Sequence, residues 1–166
     1  MISCKINELK NFMGRLLATD CFDDFLLEEA VIATYNTFTI DGRLKKEFYT
    51  SEEWNDPSVR PYSFSCWQDV RPICFSLIKG KKTPASLKFV LQLKPEKMNS
   101  LLAENGLSPS DETVKVLVVT IRYGAGGMSC TTGISLSGFS LDKTAEKLWD
   151  KAFLQFLDAN KISYGL

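Results

Sequence analysis

A chain of 166 residues with 45% apolar side chains suits one compact α+β domain spanning 1–166, or two small halves sharing a core. Twenty basic and twenty acidic residues cancel, so no global field draws the chain to nucleic acid or an anionic membrane, and any electrostatic site must be local. Histidine is absent, which removes the usual general base, the usual metal ligand and the usual partner of a nucleophilic serine or cysteine.

The opening Met1-Ile2-Ser3-Cys4-Lys5 lacks the apolar run of a secretion signal, and no stretch approaches the roughly 20 apolar residues of a membrane helix. A soluble, cytoplasmic protein without membrane contact is expected. Residues 2–6 read as a short strand, 7–18 as a helix, and 25–34 and 36–44 as extended segments. Asp20, Asp23, Asp24, Glu28 and Glu29 cluster in sequence, but they match no calcium loop and lack the glycine on which such a loop turns. They read as a solvated loop entering a strand; a carboxylate-based, metal-dependent enzyme is the competing reading. Asp41-Gly42, between Phe38, Ile40 and Leu44, Phe48, is a hairpin signal because both residues tolerate positive φ. Residues 51–58 read as a polar loop.

The middle of the chain holds two similar runs, Val59-Arg60-Pro61-Tyr62-Ser63-Phe64 and Val70-Arg71-Pro72-Ile73-Cys74-Phe75. Proline lacks a backbone donor, so both runs are expected to start strands or lie at sheet edges. Residues 70–97 carry Arg71, Lys79, Lys81, Lys82, Lys88, Lys94 and Lys97 against Glu96 alone, seven cations and one carboxylate for a net +6. Ile78-Lys79-Gly80-Lys81-Lys82-Thr83-Pro84 reads as a surface loop between two strands. It is no phosphate loop, because Phe75 stands where the first glycine is needed and a strand follows. Two readings of this patch compete: a lysine-rich loop kept soluble beside a sheet edge, and a nucleic-acid or anion contact. In the second, Arg71, Lys79, Lys81, Lys82 and Lys88 meet phosphate, and Trp67, Tyr62 or Phe64 offers stacking.

From residue 86 the pattern is plain. Leu87, Phe89, Leu91 and Leu93 alternate with Lys88, Val90 and Gln92, the period of a strand with one face in a core. Pro95 suits a first helical position, Met98, Leu101 and Leu102 fall at helical spacing, and Asn105-Gly106 ends the helix. A hairpin follows, 114–123 and 128–136 around Gly124-Ala125-Gly126-Gly127, where strands on both sides exclude a dinucleotide loop. The strand, helix, strand-pair order of 1–50 thus recurs over 86–140. Asp142 begins a helix to about Asn160 whose Ala145, Leu148, Trp149, Ala152, Phe153, Phe156 and Leu157 form one apolar stripe. This stripe reads first as core, and second as an aromatic face for a partner protomer.

Cys4, Cys21, Cys66, Cys74 and Cys130 form no Cys-x-x-Cys pair; free, mostly buried thiols are expected, with no disulfide framework or zinc knuckle. Cys66, Cys74 or Cys130 as nucleophile would need activation by lysine or a helix N-terminus.

Trp67-Gln68-Asp69-Val70-Arg71-Pro72 through Leu77-Ile78-Lys79-Gly80-Lys81-Lys82-Thr83-Pro84, with Thr39-Ile40-Asp41-Gly42-Arg43 before and Trp149-Asp150 after, resembles a family of short, uncharacterised proteins from anaerobic Gram-positive bacteria. The resemblance covers most of the chain and implies no activity. In pattern, the repeated strand, helix, hairpin order also looks like the half-domain of DNA sliding clamps. That likeness implies helices lining a channel, basic residues toward DNA, and several domains closing a ring. The first helix offers Lys10 and Arg15 and the second Lys94 and Lys97, with Glu8, Glu96 and Glu104 beside them.

These readings converge on a mainly antiparallel sheet built from two strand-helix-hairpin units and closed by the C-terminal amphipathic helix. The favoured function is a non-enzymatic binding or scaffolding module, acting on an unknown protein partner or by self-association. Nucleic-acid or anion binding through 71–97 ranks second and the carboxylate enzyme third. Catalytic residues, cofactors and metals are read as none.

Overall fold

Five strands carry one row of side chains that fixes how the sheet is built. Ala30, Phe89, Ile121, Cys130 and Cys4 stand opposite one another in successive antiparallel pairs, and all are buried. The computed structural model describes residues 1–108 and 114–166; the part of the expected second unit at 109–113 lies outside the described residues. In chain order the elements are β1 (Ser3–Ile6), α1 (Leu9–Ala18), β2 (Phe25–Ala33), β3 (Thr37–Asp41), α2 (Ser51–Asn55), β4 (Ser65–Cys66), α3 (Trp67–Ile78), β5 (Ser86–Leu93), α4 (Pro95–Glu104), β6 (Val114–Gly124), β7 (Gly127–Leu136), α5 (Thr144–Ala159) and β8 (Tyr164–Gly165). The strands form one antiparallel sheet in the order β3-β2-β5-β6-β7-β1-β8, with β4 also paired to β2. The α+β class, the antiparallel sheet and the closing C-terminal helix are as the sequence leads one to expect.

Alternation explains the two faces of the sheet. Leu87, Phe89 and Leu91 of β5, Leu117, Val119 and Ile121 of β6, and Met128 and Cys130 of β7 are buried, while the residues between them, Lys88, Val90, Thr120, Arg122, Ser129 and Thr131, face the other way. Three helices bring their apolar stripes to this core: Phe12, Leu16 and Leu17 of α1, Trp67, Val70 and Cys74 of α3, and Trp149, Phe153 and Leu157 of α5. Burying each such large side chain contributes roughly 1.5–3 kcal/mol. Two tryptophans also satisfy their polar ends, Trp67 Nε1 donating to the Leu16 carbonyl at 3.0 Å and Trp149 Nε1 to the Val118 carbonyl at 2.9 Å. The aromatic stripe of α5 is therefore spent on the chain's own core, Phe156 lying 5.0 Å from Phe22 between ring centroids.

Both halves write strand, helix, strand, strand, but they place their first strand differently. β5 neighbours β6, the strand that follows α4, whereas β1 sits between β7 and β8, away from β2.

Three local expectations are corrected. The run at 70–75 is helical, within α3, and starts no strand. Pro72 lies inside that helix and leaves the Gln68 carbonyl without its usual donor, but both residues are exposed, so the missing bond falls on the solvent side. The lysine loop consequently joins a helix to a strand. Asp41-Gly42 is not a hairpin turn: β2 and β3 are joined through 34–36, and Gly42 follows β3, its N–H donating to the Glu28 carbonyl at 2.9 Å. Within 51–58 a helical turn forms, because Thr50 and Glu53 cap each other's backbone N–H groups in a reciprocal box. Among the described residues no helix is long and apolar enough to cross a membrane.

Candidate functional site

Three of the lysines expected to act together do meet. α3 ends at Ile78 and β5 begins at Ser86, and the connection carries Lys79, Lys81 and Lys82 with Gly80 at φ +143, a conformation glycine enters at no steric cost. Across from it stands α1. Leu9, Met13 and Leu17 recur every fourth residue and so form one stripe, with Lys10, Gly14 and Ala18 on the adjoining flank. Between loop and helix lies a cleft of about 740 Å³, completed by Phe75 and Ile78 of α3, Leu87 of β5 and Tyr123 of β6. Its lining is thus apolar below, where Leu17 and Leu87 are buried, and cationic around, where Lys10, Lys79, Lys81 and Lys82 are exposed. Phe75 is 43% exposed within it. Among the described residues none of these four lysines pairs with a carboxylate, unlike most other cations of the segment. On its far side the same loop borders a second hollow of about 500 Å³ that includes the exposed Tyr35.

The remaining residues of the expected site lie elsewhere. Arg71 is tied to Asp23 at 2.8 Å with both side chains mostly buried. Lys88 projects from the opposite face of the sheet, where it pairs with Glu29 at 2.8 Å. Trp67 is 0% exposed and has no ring face open to a base. Of the other aromatic candidates, Tyr62 donates its hydroxyl to Glu96 beside Lys94, and Phe64 lies under Arg43 at 6.0 Å. The sequence reading names Lys10 only as a basic residue of the first helix, and it does not join Lys10, the Leu9-Met13-Leu17 stripe or Phe75 to the lysine loop. Their helical spacing was visible, but the approach of α1 to α3 is a long-range contact no local pattern reports.

The carboxylates that cluster in sequence disperse into separate pairs. Asp23 meets Arg71, Asp24 meets Lys97 at 3.6 Å, Glu28 accepts from Gln92 at 2.7 Å, and Glu29 meets Lys88. Among the described residues no three acidic or cysteine side chains gather as a metal ion would need. Burial pushes the Cys74 thiol up to about 12 and raises that of Cys66, so both stay protonated near neutrality and are poor nucleophiles. Chemically, the cleft offers a hydrophobic floor and a ring of ammonium donors, a combination for holding an anionic group and the apolar surface attached to it.

No curated protein and no solved structure matches the chain. A family model does, over residues 15–165, and that span includes both walls of the cleft except Leu9, Lys10, Met13 and Gly14. The chain accordingly belongs to a family of unknown function (DUF5721).

Proposed function

We propose that the chain is a non-enzymatic binding module acting through protein contacts, and that its lysine-ringed cleft receives an acidic segment of a partner protein whose apolar side chains enter between α1 and the 79–84 loop. One observation carries this reading: four lysines with no carboxylate partner among the described residues line an apolar floor in a chain whose overall charge is zero. An acidic amphipathic segment uses both halves of that surface, its carboxylates meeting the ammonium groups and its apolar side chains covering Met13, Phe75 and Ile78. A phosphate backbone would satisfy the lysines but leave the floor in water. Lys88, moreover, stands on the other side of the sheet, so the segment 71–97 presents no continuous cationic track.

The test is fluorescence anisotropy of a labelled peptide with glutamate and leucine at helical spacing, beside the same peptide with serine for leucine and beside double-stranded DNA. The leucine peptide is expected to bind in the micromolar range, about −8 kcal/mol. The serine peptide should bind at least about tenfold more weakly, and the triple variant Lys79→Glu, Lys81→Glu, Lys82→Glu should lose at least about tenfold as well, given roughly 0.5–1 kcal/mol per rim charge. Binding of DNA alone, falling steeply between about 50 and 200 mM salt, would replace this reading with nucleic-acid contact and make the clamp-like pattern the one to pursue. No binding of either probe would retire the cleft.

A further inference from the structure

Toward the β8 edge of the sheet, two of the five cysteines face each other. Cys4 of β1 and Cys130 of β7 are direct partners in the antiparallel register, their side chains share the core-facing row, and the Cys4 thiol donates to the Cys130 carbonyl at 3.6 Å. Opposed residues of an antiparallel pair have Cα atoms about 4.5–5.5 Å apart, within the roughly 4.4–6.8 Å that a disulfide spans. Cys21, Cys66 and Cys74 have no such cross-strand cysteine partner. We propose that Cys4 and Cys130 are a redox-active dithiol that a peroxide closes to a disulfide, fastening β1 to β7.

The chemistry balances with hydrogen peroxide as oxidant. Cys4 gives up its proton and attacks one peroxide oxygen; the S–O bond forms, the O–O bond breaks, and the departing oxygen leaves as water. The Cys130 sulfur then attacks the Cys4 sulfenic acid, so that S–S forms, S–O breaks and a second water carries off the remaining proton. Two thiols are oxidised and one peroxide is reduced to two waters. Cys4 is written as the attacking thiol because it sits on β1, the short strand flanked on its outer side only by the two-residue β8.

Access comes from the position of β1. Both thiols are 1% exposed, but β1 has four residues and only the two-residue β8 outside it, so few ladder bonds hold it. Lifting β1 admits the oxidant, and the bridge then prevents further lifting. Opposed Cβ atoms stand about 4.5–5.5 Å apart where a disulfide prefers about 3.5–4.5 Å, so the bridge draws the strands together and is readily reduced.

The whole chain is treated with hydrogen peroxide, denatured, alkylated without reductant, and measured by intact mass and peptide mapping. Three of the five cysteines should carry the alkyl group, one linked peptide pair should contain Cys4 and Cys130, and dithiothreitol should restore all five. Amide exchange over β1 should slow by about tenfold in the oxidised chain. Five alkylated cysteines after peroxide, a bridge between other cysteines, or Cys4 carried to sulfinic acid without a bridge would each overturn the proposal.

Discussion

One guanidinium nitrogen of Arg71 reaches both carboxylate oxygens of Asp23, at 2.8 and 3.1 Å, with the two side chains 19% and 21% exposed. This pair ties the first turns of α3 to the connection after α1, and so helps set the two walls of the cleft. Among the described residues Arg71 Nε is buried without a partner, so the group already depends on Asp23. Asp23→Ala should therefore cost about 2 kcal/mol in urea unfolding, and adding Arg71→Met should recover much of the loss. A cost of Asp23→Ala below about 0.5 kcal/mol would show the pair to be an ordinary surface contact.

Trp67 holds the same two helices from inside. Its indole N–H caps the carbonyl of Leu16, one of those left unpaired at the end of α1, and its ring meets Phe89 edge-on at 5.5 Å between centroids. Trp67→Phe keeps a ring but loses the donor. It should lower stability by about 1–2 kcal/mol, or roughly 2–8 °C in Tm, and weaken peptide binding by loosening α1 against α3. Unchanged thermal melting would remove the indole bond from the account.

Gly42 has no room for a side chain. A Cβ there would stand 1.8 Å from the Leu27 carbonyl oxygen and 2.6 Å from its carbon, backbone atoms at a register shift in β2. Gly42→Ala should cost about 3 kcal/mol or more, visible as a lower urea midpoint. An unaltered midpoint would mean that β2 gives way easily at this shift.

Gly14 is the opposite case, since nothing lies within 4 Å of a Cβ built there and the position opens on the cleft. Gly14→Leu should raise stability by about 0.5–1 kcal/mol through helix propensity while filling the space beside Met13. Thermal melting and peptide anisotropy together decide: a more stable protein that no longer binds supports the cleft, and one that binds as before contradicts it.

Alkaline pH tests the buried thiol of Cys74. Its pKa is raised to about 12 in the folded chain, so the folded state keeps a proton that the unfolded state loses above about 9. Stability should be full below that unfolded value and should fall as pH rises from about 9 toward 12. Cys74→Ala should flatten part of that slope, although the smaller side chain lowers stability at neutral pH. Parallel slopes for the two chains would show that Cys74 does not titrate with unfolding.

How far the sequence was legible follows from where the determining contacts lie. β5, α4, β6 and β7 were readable because each is set by its own residues: the Leu87 to Leu93 alternation, Pro95 opening a helix, and Gly127 at φ +91 in the turn. α3 is hidden locally because Pro72 argues against a helix, whereas Trp67, Val70 and Cys74, three and four apart, are buried together and outweigh one missing bond on an exposed side. Gly42 is ambiguous for a related reason, since a glycine demanded by close backbone approach looks the same in sequence as one demanded by a turn. Of the site, the lysine loop was visible and its apolar half was not. Lys79, Lys81 and Lys82 are neighbours in the chain, but Leu9, Met13 and Leu17 reach them only through the packing of α1 on α3.

The most direct test of the cleft is backbone NMR of the labelled chain during titration with the glutamate-leucine peptide. Amide shifts concentrated in 9–18 and 75–84, with Val90, Thr120 and Thr131 on the opposite face unmoved, are the predicted result. Shifts confined to the opposite face, or none at saturating peptide, would contradict the assignment of the lysine-ringed cleft as the binding surface.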